Sequence, residues 1–268
     1  HGIFWETDFF GIEIRNPSNS PSVFSSYGYL MKLDTTNATP IWVKTVGSVQ
    51  MNETLRALYV DGTSIYTVGR SEDHISPTSS GGDFFISVRA QNGAGSFLGA
   101  YWRGNKTFAQ RWDMNGIVNW GRVMHGSHQS HSVHGLSIQG NASHIAVGGI
   151  FSNTITFSGT DTRTAVGSYD GFTSLYDATD GSYQNTFTYG SSSDDRMNAV
   201  ALIGDDLYTG GYFYSTIDQD LSSNTSNLTS LGSRDGLFMK HSIVTPMTDC
   251  GLPAATISGF INLSHHGT

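Results

Sequence analysis

"GFTSLYDATDGSYQNTFTYGSSSDDRMNAVALIGDDLYTGGYF", residues 171–213, holds four short runs of alternating polarity separated by turn residues. The first run ends in Asp177 before a turn, the second carries Phe187, and a Gly-containing polar loop leads to a third. Gly204-Asp205 separates the third run from the fourth, "LYTGGYF". Side chains on extended backbone point alternately to opposite faces, so a period of two marks half-buried strands, and Gly, Asn and Asp mark the turns between them. No stretch competes with a convincing helical period.

The same order occurs twice upstream, in Tyr29–Arg70 and Phe108–Phe151. Asp34, Asp113 and Asp177 close the first strands, Trp42, Trp120 and Phe187 mark the second, and Gly69, Gly149 and Gly211 fall late in the fourth. A fourth unit opens at "DGLFMKHS", residues 235–242, then degenerates. The aspartates are 79 and 64 residues apart. Four-strand units at this interval predict an all-β fold of propeller-type blades, each of four antiparallel strands. About four such blades fit the chain, or it is part of a larger propeller. The expected division is 1–28 as the tail of a preceding blade, 29–107 as a blade with a long outer loop, 108–170 and 171–234 as blades, and 235–268 as a partial one. Gly69, Gly149 and Gly211 are expected at equivalent places.

Residues 146–242 read Gly-x-Phe, Thr-Ile-x-Phe, Asp-Gly-Phe, a strand ending in Asp, then Gly-Ser-Ser-Ser-Asp-Asp. This pattern resembles the seven-bladed β-propeller repeat family, well over 146–242 and fairly over 26–70. The motifs mark a structural unit and are not specific for an activity. The resemblance implies an extracellular or cell-surface protein.

Composition narrows the function classes. Only 13% of the 268 residues are charged, 32 are glycine, and the formal net charge is −8. The acidic balance is spread out with no basic stripe, which argues against nucleic acid as a partner. No apolar run reaches the roughly 18 residues of a membrane span. No signal peptide is visible, and the chain begins at His1, so it reads as a processed or excised piece of something longer. Cys250 stands alone and cannot form an internal disulfide. Seven Asn-x-Ser/Thr sequons, at Asn37, Asn52, Asn105, Asn141, Asn224, Asn227 and Asn262, suit a secreted glycoprotein. Asn141 ranks first, because the second unit reads as having two extra residues in a hairpin tip.

Four histidines, His125, His128, His131 and His134, lie three apart. In extended chain that spacing puts successive rings about 10 Å apart on alternating faces, so only a turn gathers them, with His128 and His131 the metal candidates. Aligned on the third unit, His131 falls on Asp195 and His134 on Asn198, and in the first unit His134 corresponds to Arg56. The cluster therefore reads as a solvated polar loop. The paired acids Asp194-Asp195 and Asp205-Asp206 read as turn caps. His1-Gly2 resembles the start of copper-dependent polysaccharide monooxygenases, and 176–187 resembles a quinoprotein docking motif; the repeat fits neither fold. Trp102, Trp112, Tyr212 and Tyr214 read first as packing between blades, and second as exposed contacts.

The expectation is an extracellular, non-catalytic β-propeller glycoprotein domain without a cofactor or catalytic residues, binding proteins or glycans. The alternative is a structural subunit of a fibre or surface appendage, with self-assembly. Quinoprotein-like or copper-dependent catalysis ranks last.

Overall fold

The computed structural model describes residues 6–9, 12–15, 28–46, 53–71, 105–126, 128, 130–220 and 225–243. It is all-β, with antiparallel sheets and no helix among those residues. The chain divides into two compact units, His1–Gly135 and Leu136–Thr268.

In the first unit, β1 (Glu6–Phe9) and β2 (Ile12–Arg15) pair as a hairpin, as do β3 (Gly28–Leu33) and β4 (Pro40–Val46). A four-stranded meander follows, here sheet I: β5 (Glu53–Val60), β6 (Ser64–Ser71), β7 (Lys106–Asp113) and β8 (Val118–Gly126). Its core gathers Leu30, Val46, Ile65, Phe108, Trp112 and Val123.

Strand β9 (Ser132–Gly140) crosses the boundary between the units. It edges sheet II, continued by β10 (His144–Ser152), β13 (Asp170–Asp177) and β14 (Tyr183–Tyr189), with the hairpin β11 (Thr154–Ser158) and β12 (Asp161–Thr164) between β10 and β13. Sheet III holds β15 (Arg196–Ile203), β16 (Asp206–Phe213) and β19 (Asp235–Ser242), with the hairpin β17 (Thr216–Asp218) and β18 (Asn227–Thr229) before β19. The central strands β10 and β13 are buried nearly throughout, as strands covered on both faces must be.

The repeat is legible in register. Gly69 pairs with Phe108, Gly149 with Phe172 and Gly211 with Leu237, each partner two residues into its strand. Space explains the outer two glycines: a Cβ on Gly69 would lie 2.4 Å from Thr54 O, and one on Gly211 1.8 Å from Arg196 O. The pairing skips one residue in β5 between Leu55 and Ala57 and one in β15 between Met197 and Ala199. A second irregularity recurs at Lys32/Leu33, Arg111/Trp112 and Leu175/Tyr176. Asp34, Asp113 and Asp177 close their strands as the sequence implies. Each carboxylate accepts N–H groups from the following turn, and Ala38, Gly116 and Gly181 take positive φ there.

The sheets are phased differently from the sequence units. β3 and β4 belong to a different sheet from β5 and β6, and β7 and β8 join β5 and β6 rather than β9 and β10. Between described strands, the longest stretches of chain lie inside sheets: 34 residues from β6 to β7, 17 from β10 to β13 and 21 from β16 to β19. Between β8 and β9 there are five residues, and between β14 and β15 six.

Trp112 is fully buried, its indole Nε1 donating to Thr67 Oγ1 at 3.0 Å, which fits packing and overturns the second reading of it as an exposed contact. It lies on β7, which is paired on both sides and so carries core residues.

Candidate functional site: the loop-bearing end of the sheets

The two ends of each sheet differ. One end carries tight turns, 61–63 after β5, 141–143 after β9 and 204–205 after β15. Asp61 Oδ1 accepts from the N–H groups of Thr63 and Ser64, and Asn141 Oδ1 from those of Ser143 and His144. Asn141 thus fills the place of Asp61, with its Nδ2 donating to Gly204 O at 2.7 Å. The turn after β9 has one residue more than the turn after β15, not the two expected, and the same three residues as the turn after β5. The error lies in the alignment. Thr107 Oγ1 accepts from Gly135 N, while Gly171 and Gly28 lie against Met197 and Leu55 at the matching place. Gly135 therefore corresponds to Leu55 and Met197, each 14 residues before Gly149, Gly69 and Gly211. Leu136, not His134, answers to Arg56.

The other end carries the long connections and the polar chemistry. Val133 N donates to Asn105 O and Asp195 N to Tyr169 O, so Val133, not His131, corresponds to Asp195. The histidine loop is the longer one: Met124 to Gly135 spans 11 positions, Tyr189 to Met197 only 8. His128 is exposed, and its ring lies 5.8 Å from that of half-buried His131. Ser130 N donates to His128 Nδ1, which places the neutral-ring proton on Nε2. His125 is half-buried, and burial lowers its pKa. Among the described residues, no three His, Cys, Asp or Glu side chains come close enough to hold a metal.

The acids serve the backbone. Asp195, 1% exposed, accepts from Ser191 N at 2.5 Å and Tyr214 N at 2.7 Å. Asp170, 2% exposed, accepts from Val166 N and Gly167 N. Burial pushes the Asp170 carboxyl up to about 6, with the Asp195 charge adding to the rise. Asp194 bridges to Tyr169, Asp205 O accepts from Ile243 N, and Asp206 pairs with Lys240 at 2.7 Å.

Sheets I and III solve the same place differently. In sheet I, Arg70 donates through Nε and Nη2 to Asn105 Oδ1 at 2.8 and 2.5 Å, and Asn105 Nδ2 donates to Ser132 Oγ at 3.2 Å. In sheet III, Tyr212 stands where Arg70 does and Arg234 where Asn105 does. The Arg234 guanidinium lies 4.7 Å from the Tyr212 ring centre, Arg196 at 5.7 Å, and Tyr214 meets the same ring edge-on at 6.1 Å. Of the four cations described in the second unit, Arg163 pairs with Asp161 and Lys240 with Asp206. Arg196 and Arg234 form no ion pair among the described residues, and Arg196 Nε is buried without an acceptor. Among the described residues of that unit, the Tyr212 cluster is thus the strongest concentration of unneutralised positive charge. Sequence reading named Tyr212 and Tyr214, which are half-buried, and missed both arginines. Counting back from the Gly204-Asp205 turn pairs Tyr212 with Met197; the skipped residue in β15 replaces it with Arg196.

The sequons divide. Asn37 is exposed in a turn, its Oδ1 accepting from Thr39, and Asn227 is exposed on β18. Asn105 and Asn141 are half-buried with the amide bonds already described. Asn52, Asn224, Asn262, His1, Trp102 and Cys250 lie outside the described residues. No described helix is long and apolar enough to cross a membrane. No protein-family model matches the chain, and no curated protein matches it.

Proposed function

We propose that the sheets are blades of a β-propeller of the seven-bladed repeat type, and that the chain acts outside the cell as a non-catalytic recognition module for proteins or glycans. The observation that carries this reading is the asymmetry of the sheet ends. Within each sheet, tight turns hold one end and longer connections leave the other: the histidine loop in the first unit, and the hairpins β11–β12 and β17–β18 with the Tyr212 cluster in the second. Loops on a rigid scaffold are where binding concentrates, and unpaired arginine beside tyrosine is the composition of interface anchors. Asn37 and Asn227 are the sequons whose exposure fits glycans, which keeps the secreted reading open to intact-mass measurement on protein from its native source. A structural-subunit reading draws on a different feature, the uncovered face of sheet III.

The test is binding of the monodisperse protein to glycan and protein arrays, followed by the double variant Arg234→Ala/Tyr214→Ala. Saturable binding weakened at least tenfold by the double variant supports the reading. Binding insensitive to these residues, or none on either array, overturns it.

A further inference from the structure

We propose that the outer face of sheet III is a docking seam, filled by the chain's own residues 255–263 as the first strand of a further sheet. This rests on the repeat reading above, and on a contrast between equivalent positions in three sheets. In sheet II, a Cβ on Gly148 would lie 2.6 Å from Val200 Cγ1, and one on Gly171 3.0 Å from Met197 Cγ, so β15 presses on that face. Sheet I has Val68 and Thr107 at these places, and Gly135 lies against both. Sheet III has Gly210 and Gly236 there, and their Cβ positions meet no described residue within 4 Å.

The same face carries Tyr208, Tyr212 and Phe238, and Phe238 is 45% exposed where its counterpart Thr173 in sheet II is 0% exposed. Its polar content does not mark it as a solvent face. Lys240 lies over the Tyr208 ring at 5.7 Å, as Arg111 lies over Tyr66 at 6.0 Å, and Tyr66 is only 1% exposed. The unpaired Arg234 fits too, because its counterpart Asn105 donates to Ser132 at the start of the next first strand.

Chain length and sequence select the occupant. β19 ends at Ser242, paired with Asp206 as Asp177 is with His144, and 26 residues follow. In "AATISGFINL", residues 254–263, Gly259 stands two after Ile257 as Gly135 stands two after Val133. Ser242 to Gly259 spans 17 positions, against 20 from Asp177 to Met197 and 22 from Asp113 to Gly135. That leaves enough chain for a turn, a returning strand and a short loop.

Two measurements on the full chain decide it. Hydroxyl-radical footprinting of the unmodified protein compares Phe238 with Tyr29, which is 46% exposed. Protection of Phe238 at least fivefold beyond Tyr29 after correction for intrinsic reactivity is expected, and oxidation at a comparable rate overturns the seam. Oxidation of Gly236→Cys/Gly259→Cys in a Cys250→Ser background should then close an intramolecular disulfide, as Gly171→Cys/Met197→Cys should in the same background. A protected Phe238 without that link, or with a link between two copies, overturns residues 255–263 as the occupant. Array binding at the loop-bearing end is read separately, so either proposal can fail alone.

Discussion

Sheets II and III share a register and differ in what lies against them. At Gly148 and Gly171 the absent Cβ is the space that β15 uses, whereas at Gly210 and Gly236 the same absence meets no described residue within 4 Å. The contrast teaches how to read a small residue in a repeat. A glycine that is crowded in one copy and free in the next belongs to the packing of the repeat, and the free copy points to a missing neighbour.

The largest effect expected from breaking this contrast is at the crowded copy. Gly171→Val should cost about 3 kcal/mol in chemical denaturation, because Met197 and its backbone must move. Gly236→Val should cost a comparable amount in the full chain if the seam is filled, and less than about 0.5 kcal/mol if the face is bare.

The pH dependence comes next. His241 is buried against Phe187 and Tyr189, and burial pushes its pKa down to about 4. Between pH 4 and 6 the unfolded chain protonates this histidine and the folded chain does not, so its contribution to stability rises with pH by about 1.4 kcal/mol per unit. Asp170, raised to about 6, does the reverse: the folded state keeps the proton over this window while the unfolded state releases it. The slopes of His241 and Asp170 oppose, and His125, also lowered by burial, adds to the rising side, so the native melting temperature should rise only shallowly from pH 4 to 6. His241→Phe should make stability fall as pH rises, and Asp170→Asn should make it fall as pH drops. Thermal unfolding across that window reads both; a native profile as steep as either variant's breaks the compensation.

Smaller effects separate the loop-bearing ends. Asn105→Ala removes the acceptor of Arg70 and the donor to Ser132, and should cost about 1–2 kcal/mol. Arg234→Ala removes only a ring contact and should change stability by less than about 1 kcal/mol. Asn141→Asp keeps the cap that Asp61 makes but loses the Nδ2 donor to Gly204 O, and should cost up to about 1 kcal/mol in chemical denaturation.

Local chemistry was legible in the sequence and long-range grouping was not. Asp34, Asp113 and Asp177 announced their turns because an aspartate caps N–H groups a few residues away, within its own sentence of sequence. The phase of the sheets was hidden because the longest connections run inside them, and length suggests a boundary where none exists. The burial of Trp112 and the arginines beside Tyr212 were not legible locally, for related reasons. Burial on β7 depends on two partner strands, and one skipped residue in β15 exchanges Met197 for Arg196 beside Tyr212. His131 and His134 were placed by gapless alignment over a loop that is three residues longer than its counterpart.

The unequal connections also set a timetable for folding. Closing a flexible loop costs about 0.6 kcal/mol more for each doubling of its length. The 34 residues between β6 and β7 are twice the 17 between β10 and β13, and the shorter link contains its own hairpin, β11–β12. Contacts of short sequence separation form faster. The β10–β13 ladder should therefore acquire amide protection before the β6–β7 ladder in pulse-labelled refolding, and the last ladder to close should be the one whose strands are linked by the longest stretch of chain.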